Sequence, residues 1–260
     1  MSDPRTPALF VSHGAPTLPL EDVPAREFLS QLGATVGTPR GIVAVSAHWE
    51  TQEPAVNASA APATIHDFSG FPDALYRLRY PVPGDPALAR VVADRLSEAG
   101  FAAATETRRG IDHGVWVPLM LMYPQARVPV VQVSIQPQAG TGHHYRIGRA
   151  LRVLRDDGVL VFTSGSTTHN LRALDPRPGA QPPQWAEAFS AWLNAAVAAG
   201  DTAALLDYRD RAPHAALAHP TDEHLLPFFV ALGASTNDAG TRLHHSYTYG
   251  AITMDVYRFD

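Results

Sequence analysis

Four short segments of almost wholly apolar residues are spaced along the chain, at 8–11, 42–45, 128–135 and 159–163. Polar residues hardly alternate within them, a pattern typical of strands that are buried on both faces of a sheet. Such a sheet requires helices that alternate with the strands along the chain. We therefore predict an α/β fold with a largely parallel or mixed central sheet flanked by helices.

The segments between the apolar runs carry helix signals. Asp85 has the character of an N-cap, Pro86 suits the first helical position, and Gly100 marks the end of that helix. Segments 145–158 and 182–200 repeat apolar residues at helical spacing. These helices would supply the layers that the predicted sheet requires.

The composition bounds the class of protein. With 260 residues, 45% of them hydrophobic, the chain can bury a sizeable core. We expect a single domain over residues 1–260, with surface loops at 51–64 and 173–184 and a late strand within 249–259. A net charge of −5 without a basic cluster argues against nucleic acid or an anionic membrane as a partner. We expect a cytoplasmic protein, because no apolar run reaches the ~18 residues of a membrane span.

Histidine is the residue type that points to chemistry. The chain has 12 histidines and no cysteine, so thiolate metal sites and disulfides are excluded. His13, His48 and His169 each come shortly after a predicted strand. Because ligands of open α/β sheets bind beyond the carboxyl ends of the strands, we predict that these three imidazoles converge on one site.

Segment 218–233 holds a further group of candidate ligands. We predict a helix that begins at Pro220, with His219 just before it and Glu223 and His224 in its first turns. A helix cap alone does not require this many potential metal-binding side chains.

A predicted loop before another apolar segment carries His113, between Asp112 and Gly114. The remaining histidines are predicted to be solvated: His66, His143, His144, His214, His244 and His245.

Neutral imidazoles with a carboxylate or water suit Fe(II), Zn(II) or Mn(II). The candidates are scattered along the chain, which favours a catalytic metal site over a structural one. Histidines that do not bind the ion can move protons near neutral pH.

Five motifs, "SHGAP", "SAHWE", "DHGVWVPL", "GSTTHNL" and "HPTDEHLLP", occur in order between residues 12 and 227. Together they resemble the class III extradiol ring-cleavage dioxygenases, in the 4,5-DOPA dioxygenase branch. The resemblance implies a non-haem Fe(II) centre, although zinc is also described in this branch. It makes His13 and His48 the first two metal ligands. The third is His224, with Glu223 as the alternative, because the wider superfamily uses a glutamate.

The resemblance also implies roles for the other histidines. His169 matches the acid/base histidine of the family and His113 a second active-site histidine. The resemblance implies that they act on a small-molecule catechol of the DOPA type and on O₂. The oligomeric state is left open. Ala15 stands where serine is common and Asp222 where proline is common, and both positions bear on which catechol fits.

Two other functions remain open. A zinc hydrolase can use the same imidazoles to activate water, with His169 or Glu223 as the general base. A protein without catalytic activity can use the metal pocket on the same scaffold to bind a ligand or a partner.

Overall fold

Ten strands and ten helices build the part of the chain that the structure, a computed structural model, describes: residues 5–177 and 179–260. The strands are β1 Ala8–Ser12, β2 Gly41–Glu50, β3 Ala55–Asn57, β4 Ala104–Glu106, β5 Val130–Ile135, β6 Val159–Gly165, β7 Gly240–His244, β8 Tyr247–Thr248, β9 Ile252–Thr253 and β10 Val256–Phe259. The helices are α1 Pro24–Val36, α2 Asp73–Tyr76, α3 Pro86–Glu98, α4 His113–Met122, α5 Gly140–Leu151, α6 Gln184–Ala199, α7 Thr202–Leu206, α8 Tyr208–Arg211, α9 Ala215–Ala218 and α10 Leu226–Ala234. Short 3₁₀ turns lie at Leu18–Leu20, Pro137–Ala139, Arg152–Asp157 and Leu171–Ala173.

Eight strands form one mixed sheet in the order β4-β3-β5-β2-β6-β1-β10-β7. The four central strands β5, β2, β6 and β1 run parallel to one another. Towards the edges, β3 pairs with β5, β10 with β1, and β7 with β10 in antiparallel fashion. The predicted fold class, an α/β protein with a mixed central sheet flanked by helices, is confirmed.

The side chains of β1 alternate between two cores, one on each face of the sheet. Leu9 and Val11 share one core with Trp116 of α4. Phe10 points to the other core, where its ring meets Phe228 of α10 edge-on at 5.5 Å. Each such side chain contributes about 1.5–3 kcal/mol when it is fully buried. This two-sided burial explains the nearly continuous apolar runs of the sequence.

The predicted helix ends agree with the structure for α3, where the Asp85 carboxylate accepts from the backbone N–H groups of Ala87 and Leu88. The predicted start at Pro220 is wrong. Residues 220–225 form turns, and α10 begins only at Leu226, with a proline in its first turn. The segment before it is held by the Asp222 carbonyl, which accepts from two backbone N–H groups.

Loop predictions are confirmed in part. Segment 51–64 contains the short strand β3, because its apolar Val56 is fully buried and pairs with Val133 of β5. The described residues of 174–183 have no helix or strand, and residue 178 lies outside the described residues. The late strand within 249–259 is present as β9 and β10. No helix among the described residues is both long and apolar enough to span a bilayer.

Candidate active site

Five histidines meet at the carboxyl end of the central strands. His13 directly follows β1, and His169 lies four residues after β6. His48 is inside β2 rather than after it, because that strand continues to residue 50. His113 is the first residue of α4, not part of a loop, and His224 lies two residues before α10. The predicted convergence of His13, His48 and His169 therefore includes two further imidazoles.

The rings of these histidines are in direct contact. The His13 ring centroid lies 5.0 Å from that of His48, 5.3 Å from His113 and 5.5 Å from His224. The His48 centroid lies 4.0 Å from His113 and 4.9 Å from His224. His169 stacks on His224 with the centroids 3.3 Å apart. Such a dense group of imidazoles is unfavourable when its members are protonated, because the charged rings repel one another. Its presence therefore indicates a function.

A hydrogen-bond chain fixes the tautomer of His13. The Ser164 hydroxyl donates to the Gly114 carbonyl at 2.5 Å, so its oxygen accepts the Nδ1–H of His13 at 2.9 Å. The Nε2 of His13 then carries a lone pair. It faces Nε2 of His48 at 3.1 Å.

Carboxylates orient two more of the rings in the same way. Asp67 Oδ1 accepts from Nδ1 of His113 at 2.9 Å, and Glu223 Oε1 accepts from Nδ1 of His224 at 3.0 Å. Burial raises the pKa of Asp67, but the hydrogen bonds that it accepts from the ring and the backbone N–H of His113 bring that pKa down to about 2. Histidines that bind metals commonly donate their second N–H to a carboxylate or other acceptor. The outer nitrogens of His13, His113 and His224 are all held in this way.

Burial favours the neutral form of His13, His48, His169 and His224. It lowers the pKa of His48 to about 3, with repulsion from neighbouring rings adding to the effect. Burial, followed by the other histidines, lowers the pKa values of His13 and His224 well below their ordinary value. Burial also lowers the pKa of His169 to about 4, although Glu223 acts in the opposite direction. At neutral pH the rings therefore offer lone pairs rather than charge.

The donor set fits a divalent metal ion. Two groups of three side chains have ligand atoms within 4.8 Å of one another: His13, His48 and His113, and His169, Glu223 and His224. Two nitrogens bound about 2.1 Å from one ion lie about 3.0–3.4 Å apart, and the two Nε2 atoms that face each other meet this condition at 3.1 Å. The predicted triad of His13, His48 and His224 draws on both groups.

Glycines allow the elements of the site to approach closely. A Cβ at Gly165, the last residue of β6, would overlap the backbone carbonyl of His224. A Cβ at Gly114 would overlap the Ser46 hydroxyl and crowd the His48 ring. Both positions therefore require glycine for reasons of space.

A cavity of about 620 Å³ opens above the histidines, a size typical of sites for small organic ligands. Ala15 lines it, as expected for a position that influences the substrate. Asp222 does not. Its carboxylate lies on a separate polar cleft, where Tyr208 and Arg209 bind it.

Sequence reasoning missed two groups that orient the rings, Asp67 and Ser164. Ser164 was predictable from the alternation of side chains along a strand, because it lies on the same face of β6 as Leu160 and Phe162. Asp67 lies in a segment without a helix or a strand, and no periodicity points to it.

Histidines outside the cluster only partly match the prediction that they are solvated. His214 is exposed as predicted. His144 is fully buried, donating from Nδ1 to the Gly140 carbonyl at 2.7 Å and accepting from the Gln136 N–H at 3.1 Å. It lies inside α5, which begins five residues before the predicted helical segment, and this is why the prediction is wrong.

Two further histidines bond to buried groups. His219, next to the cluster in sequence, is buried and its Nε2 lies 3.0 Å from the Thr167 carbonyl. His245 is exposed, as predicted, although its Nδ1 lies 2.5 Å from the buried Asp255 carboxylate. Neither ring lines the cavity described above.

Comparisons with known proteins agree with this geometry. Residues 7–259 match the family model described as the catalytic LigB subunit of aromatic ring-opening dioxygenase. The chain is 42% identical over 255 residues to a 4,5-DOPA dioxygenase extradiol of Beta vulgaris, which covers 96% of this chain and 95% of that protein. It is 40% identical over 237 residues to a protein of the same description from Escherichia coli strain K12, covering 90% and 87% of the two chains.

The fold has a solved counterpart. A crystal structure described as that of uncharacterized protein JW3007 from Escherichia coli K12 superposes with a TM-score of 0.83 at 31% sequence identity. The match covers 98% of this chain and 100% of that one. The resemblance indicated by the five sequence motifs is thus confirmed over nearly the whole chain. The chain belongs to the family of the catalytic LigB subunit of aromatic ring-opening dioxygenases, and it is an extradiol ring-cleavage dioxygenase.

Proposed function

We propose that this protein uses a divalent metal ion to cleave a catechol with O₂. The ring carbon–carbon bond beside the diol breaks and both oxygen atoms enter the product, so the reaction needs no external reductant. Fe(II) is the ion that we expect for activity, and the same nitrogen donors also accept Zn(II). The observation that carries this proposal is the cluster of neutral imidazoles on the floor of a cavity large enough for a substituted aromatic ring.

The ligands that we assign to the ion are His13, His48 and His224. All three rings are neutral because burial depresses their pKa values. Glu223, the alternative third ligand, accepts a hydrogen bond from His224 and so orients that ring. His113 lies closer than His224 to both His13 and His48, with ring centroids at 5.3 and 4.0 Å against 5.5 and 4.9 Å. The metal content of the His113 and His224 variants separates the two choices.

Two histidines are left to move protons. An ion held by His13, His48 and His224 would supply Lewis acidity and a route for electron transfer. His169 has a pKa of about 4, so it is neutral at pH 7 and can take the proton of a phenol hydroxyl. We assign His113 to the oxygen intermediate, because its ring lines the cavity and the Asp67 carboxylate, which accepts from its Nδ1 at 2.9 Å, holds that ring in place.

The cavity walls supply the remaining requirements of the reaction. Aromatic and aliphatic side chains hold a ring above the histidines and exclude water from it. We assign the whole of residues 1–260 to one catalytic domain, because the sheet that carries the site takes strands from both ends of the chain.

Anaerobic reconstitution with Fe(II), followed by oxygen uptake with a panel of catechols, tests the proposal. We expect uptake of one O₂ per catechol together with a yellow ring-opened product. Protein loaded with Zn(II) is the matched control and should consume no oxygen. Absence of uptake and of product with every catechol would reject the proposed reaction, and release of a hydrolysis product without oxygen uptake would indicate a zinc hydrolase instead.

A further inference from the structure

We propose that the preferred catechol carries an uncharged, largely apolar ring substituent rather than an amino-acid side chain. This inference rests on the proposed function and concerns the part of the cavity that lies beyond the histidines. The cavity of about 620 Å³ has room for more than one aromatic ring, so its outer walls contact whatever the ring carries.

The outer walls are built from apolar side chains. The Phe68 ring meets the His113 ring edge-on, with the centroids 5.6 Å apart. It also meets the Phe71 ring, with the centroids 5.3 Å apart. The other apolar residues of the walls are Ala15, Pro16, Leu171, Leu174, Pro176 and Ile252. A substituent that leaves the ring in this direction exchanges water for hydrocarbon contact, which is favourable for an apolar group.

No cation is available in the walls to bind a carboxylate. All 20 basic residues of the chain are arginines, and none of them lines the cavity among the described residues. Arg177, close in sequence to the wall, is held by the Asp175 carboxylate through both Nε and Nη2. Arg172 follows Leu171 but is exposed and outside the wall. A carboxylate buried here would lose its hydration without gaining a partner.

Acidic groups behind the walls oppose an anionic substituent further. The side chains of Asp67 and Glu223 contact the histidines at the floor of the cavity. At the rim, the Glu21 carboxylate accepts a hydrogen bond from the Tyr249 hydroxyl at 2.5 Å. These carboxylates have no hydrogen to donate to a substituent carboxylate, and their negative charge would offset the charge that a bound divalent ion brings to the floor of the cavity.

The polar groups of the wall are already engaged. The Tyr249 hydroxyl donates to Glu21, and the Ser166 hydroxyl donates to the Thr168 carbonyl at 2.8 Å. No carboxylate lines the cavity among the described residues, so an ammonium group on the substituent would lose its hydration there without gaining a direct ion pair. An uncharged substituent requires no such partner.

Two leucines at the mouth of the cavity are unusually exposed. Leu171 is 61% exposed and Leu174 is 38% exposed. Both belong to the cavity wall, so a substituent reaching the mouth would cover them. An apolar substituent would remove these two side chains from water. A catechol that carries one should therefore bind more tightly than catechol itself.

The test compares kcat/KM for four catechols on the Fe(II)-loaded enzyme: 4-propylcatechol, dopamine, 3-(3,4-dihydroxyphenyl)propanoate and DOPA. We expect 4-propylcatechol to exceed each charged compound by at least about tenfold, mainly through KM, because the difference lies in binding. Anaerobic titration with the same compounds, followed by tryptophan fluorescence, should give Kd values in the same order. Equal or higher kcat/KM for DOPA or the propanoate would overturn the inference.

A charge placed at the mouth provides a second test. Leu174→Arg should raise the ratio of kcat/KM for the propanoate to that for 4-propylcatechol at least about tenfold, whereas Leu174→Met should leave this ratio near that of the parent enzyme. Arg172→Ala is the complementary variant. If the parent enzyme prefers the propanoate and this variant loses the preference, Arg172 reaches the substrate and the inference is wrong.

The two proposals fail in different ways. Unsubstituted catechol and 4-methylcatechol carry no charge and fit any of these arrangements. If neither they nor any of the four test compounds is cleaved, the proposed function itself is rejected, and this inference with it. If they are cleaved but the charged compounds are preferred, the proposed function stands and only the substrate class is wrong.

Discussion

The Nε2 atoms of His13 and His48, 35 residues apart in the chain, face each other at 3.1 Å. The Nδ1 proton of His13 is committed to Ser164, so its Nε2 has no proton to give to His48. Burial disfavours the protonated form of His48, with its pKa at about 3. A neutral His48 can donate its own Nε2–H to this lone pair, and in its other tautomer it turns a second lone pair towards His13. A divalent ion bound between the two nitrogens would stabilise the second arrangement.

Metal removal should accordingly lower the stability of the protein. An ion that binds only the folded state stabilises it by about 2.7 kcal/mol at a hundredfold excess over its Kd. We expect EDTA to lower Tm and Zn(II) to restore it. His13→Ala should remove this response, and the measurement is thermal unfolding at a series of Zn(II) concentrations. An equal response in His13→Ala would show that the ion binds elsewhere.

Ser164→Ala should weaken metal binding without removing a ligand. The substitution frees the Nδ1 of His13, and loss of such an outer hydrogen bond typically costs 10–100-fold in metal affinity. The affinity is measured by competition with a chromophoric chelator. Ser12→Ala is the matched control, because its hydroxyl is buried beside His13 and has no partner. Similar losses in both variants would contradict the specific role of Ser164.

His169→Gln separates catalysis from metal binding. His169 contacts the cavity and lies 4.0 Å from the Glu223 carboxylate, but we assign it no bond to the ion. We expect kcat to fall by about 10²–10⁴-fold, the usual contribution of a general acid or base, with metal content near one ion per chain. Retained turnover would indicate that the pocket only binds its ligand or that another group moves the proton.

The convergence of His13 and His169 was predictable because the carboxyl ends of buried parallel strands meet at one edge of a sheet. Because side chains alternate along a strand, His13 is also expected on the face of β1 that carries Leu9 and Val11. The extent of β2 was not predictable, because nothing in "VSAHWE" marks the residue at which the strand ends. The prediction that His48 follows the strand is therefore wrong, and His48 lies within β2.

The position of His224 depends on contacts that no local pattern encodes. The sequence favours a helix from Pro220, yet the chain makes turns up to α10 and presents His224 from them. These turns are set by tertiary contact, since the His224 carbonyl accepts from the N–H of Ser166 at the end of β6. Asp67 is missed for a related reason. It reaches His113 from a segment without periodicity, 46 residues away in the chain.

Gly165→Ala tests this close approach. A methyl group here would overlap the His224 carbonyl and touch the Phe10 ring, so the segment that carries His224 must move. We expect a loss of about 1–3 kcal/mol in stability, typical of overpacking, together with weaker metal binding. Urea unfolding and chelator competition measure the two effects. Gly142→Ala, on a glycine whose Cβ would meet no atom within 4 Å, is the control and should preserve both.

Stability should depend on pH through His144, which is not among the residues that we assign to the ion. Burial lowers the pKa of His144 to about 4, although its bond to the Gly140 carbonyl acts in the opposite direction. Between pH 6.5 and 4 the unfolded chain takes up a proton on this residue more readily than the folded protein does. The folded state is therefore favoured above pH 6.5 and loses about 3 kcal/mol as the pH falls through this window.

The measurement is urea unfolding of the metal-free protein at pH 7 and at pH 4.5, with His144→Gln as the comparison. Other buried histidines, such as His219, contribute equally to both proteins, so the difference between their pH dependences isolates His144. We expect the variant to be less stable at pH 7, because the Gly140 carbonyl loses the hydrogen bond from Nδ1–H of His144. Its further loss of stability on acidification should be smaller by about 2–3 kcal/mol than that of the parent protein. Parallel pH profiles would show that His144 is protonated as easily in the folded protein as in the unfolded chain, against the burial seen in the structure.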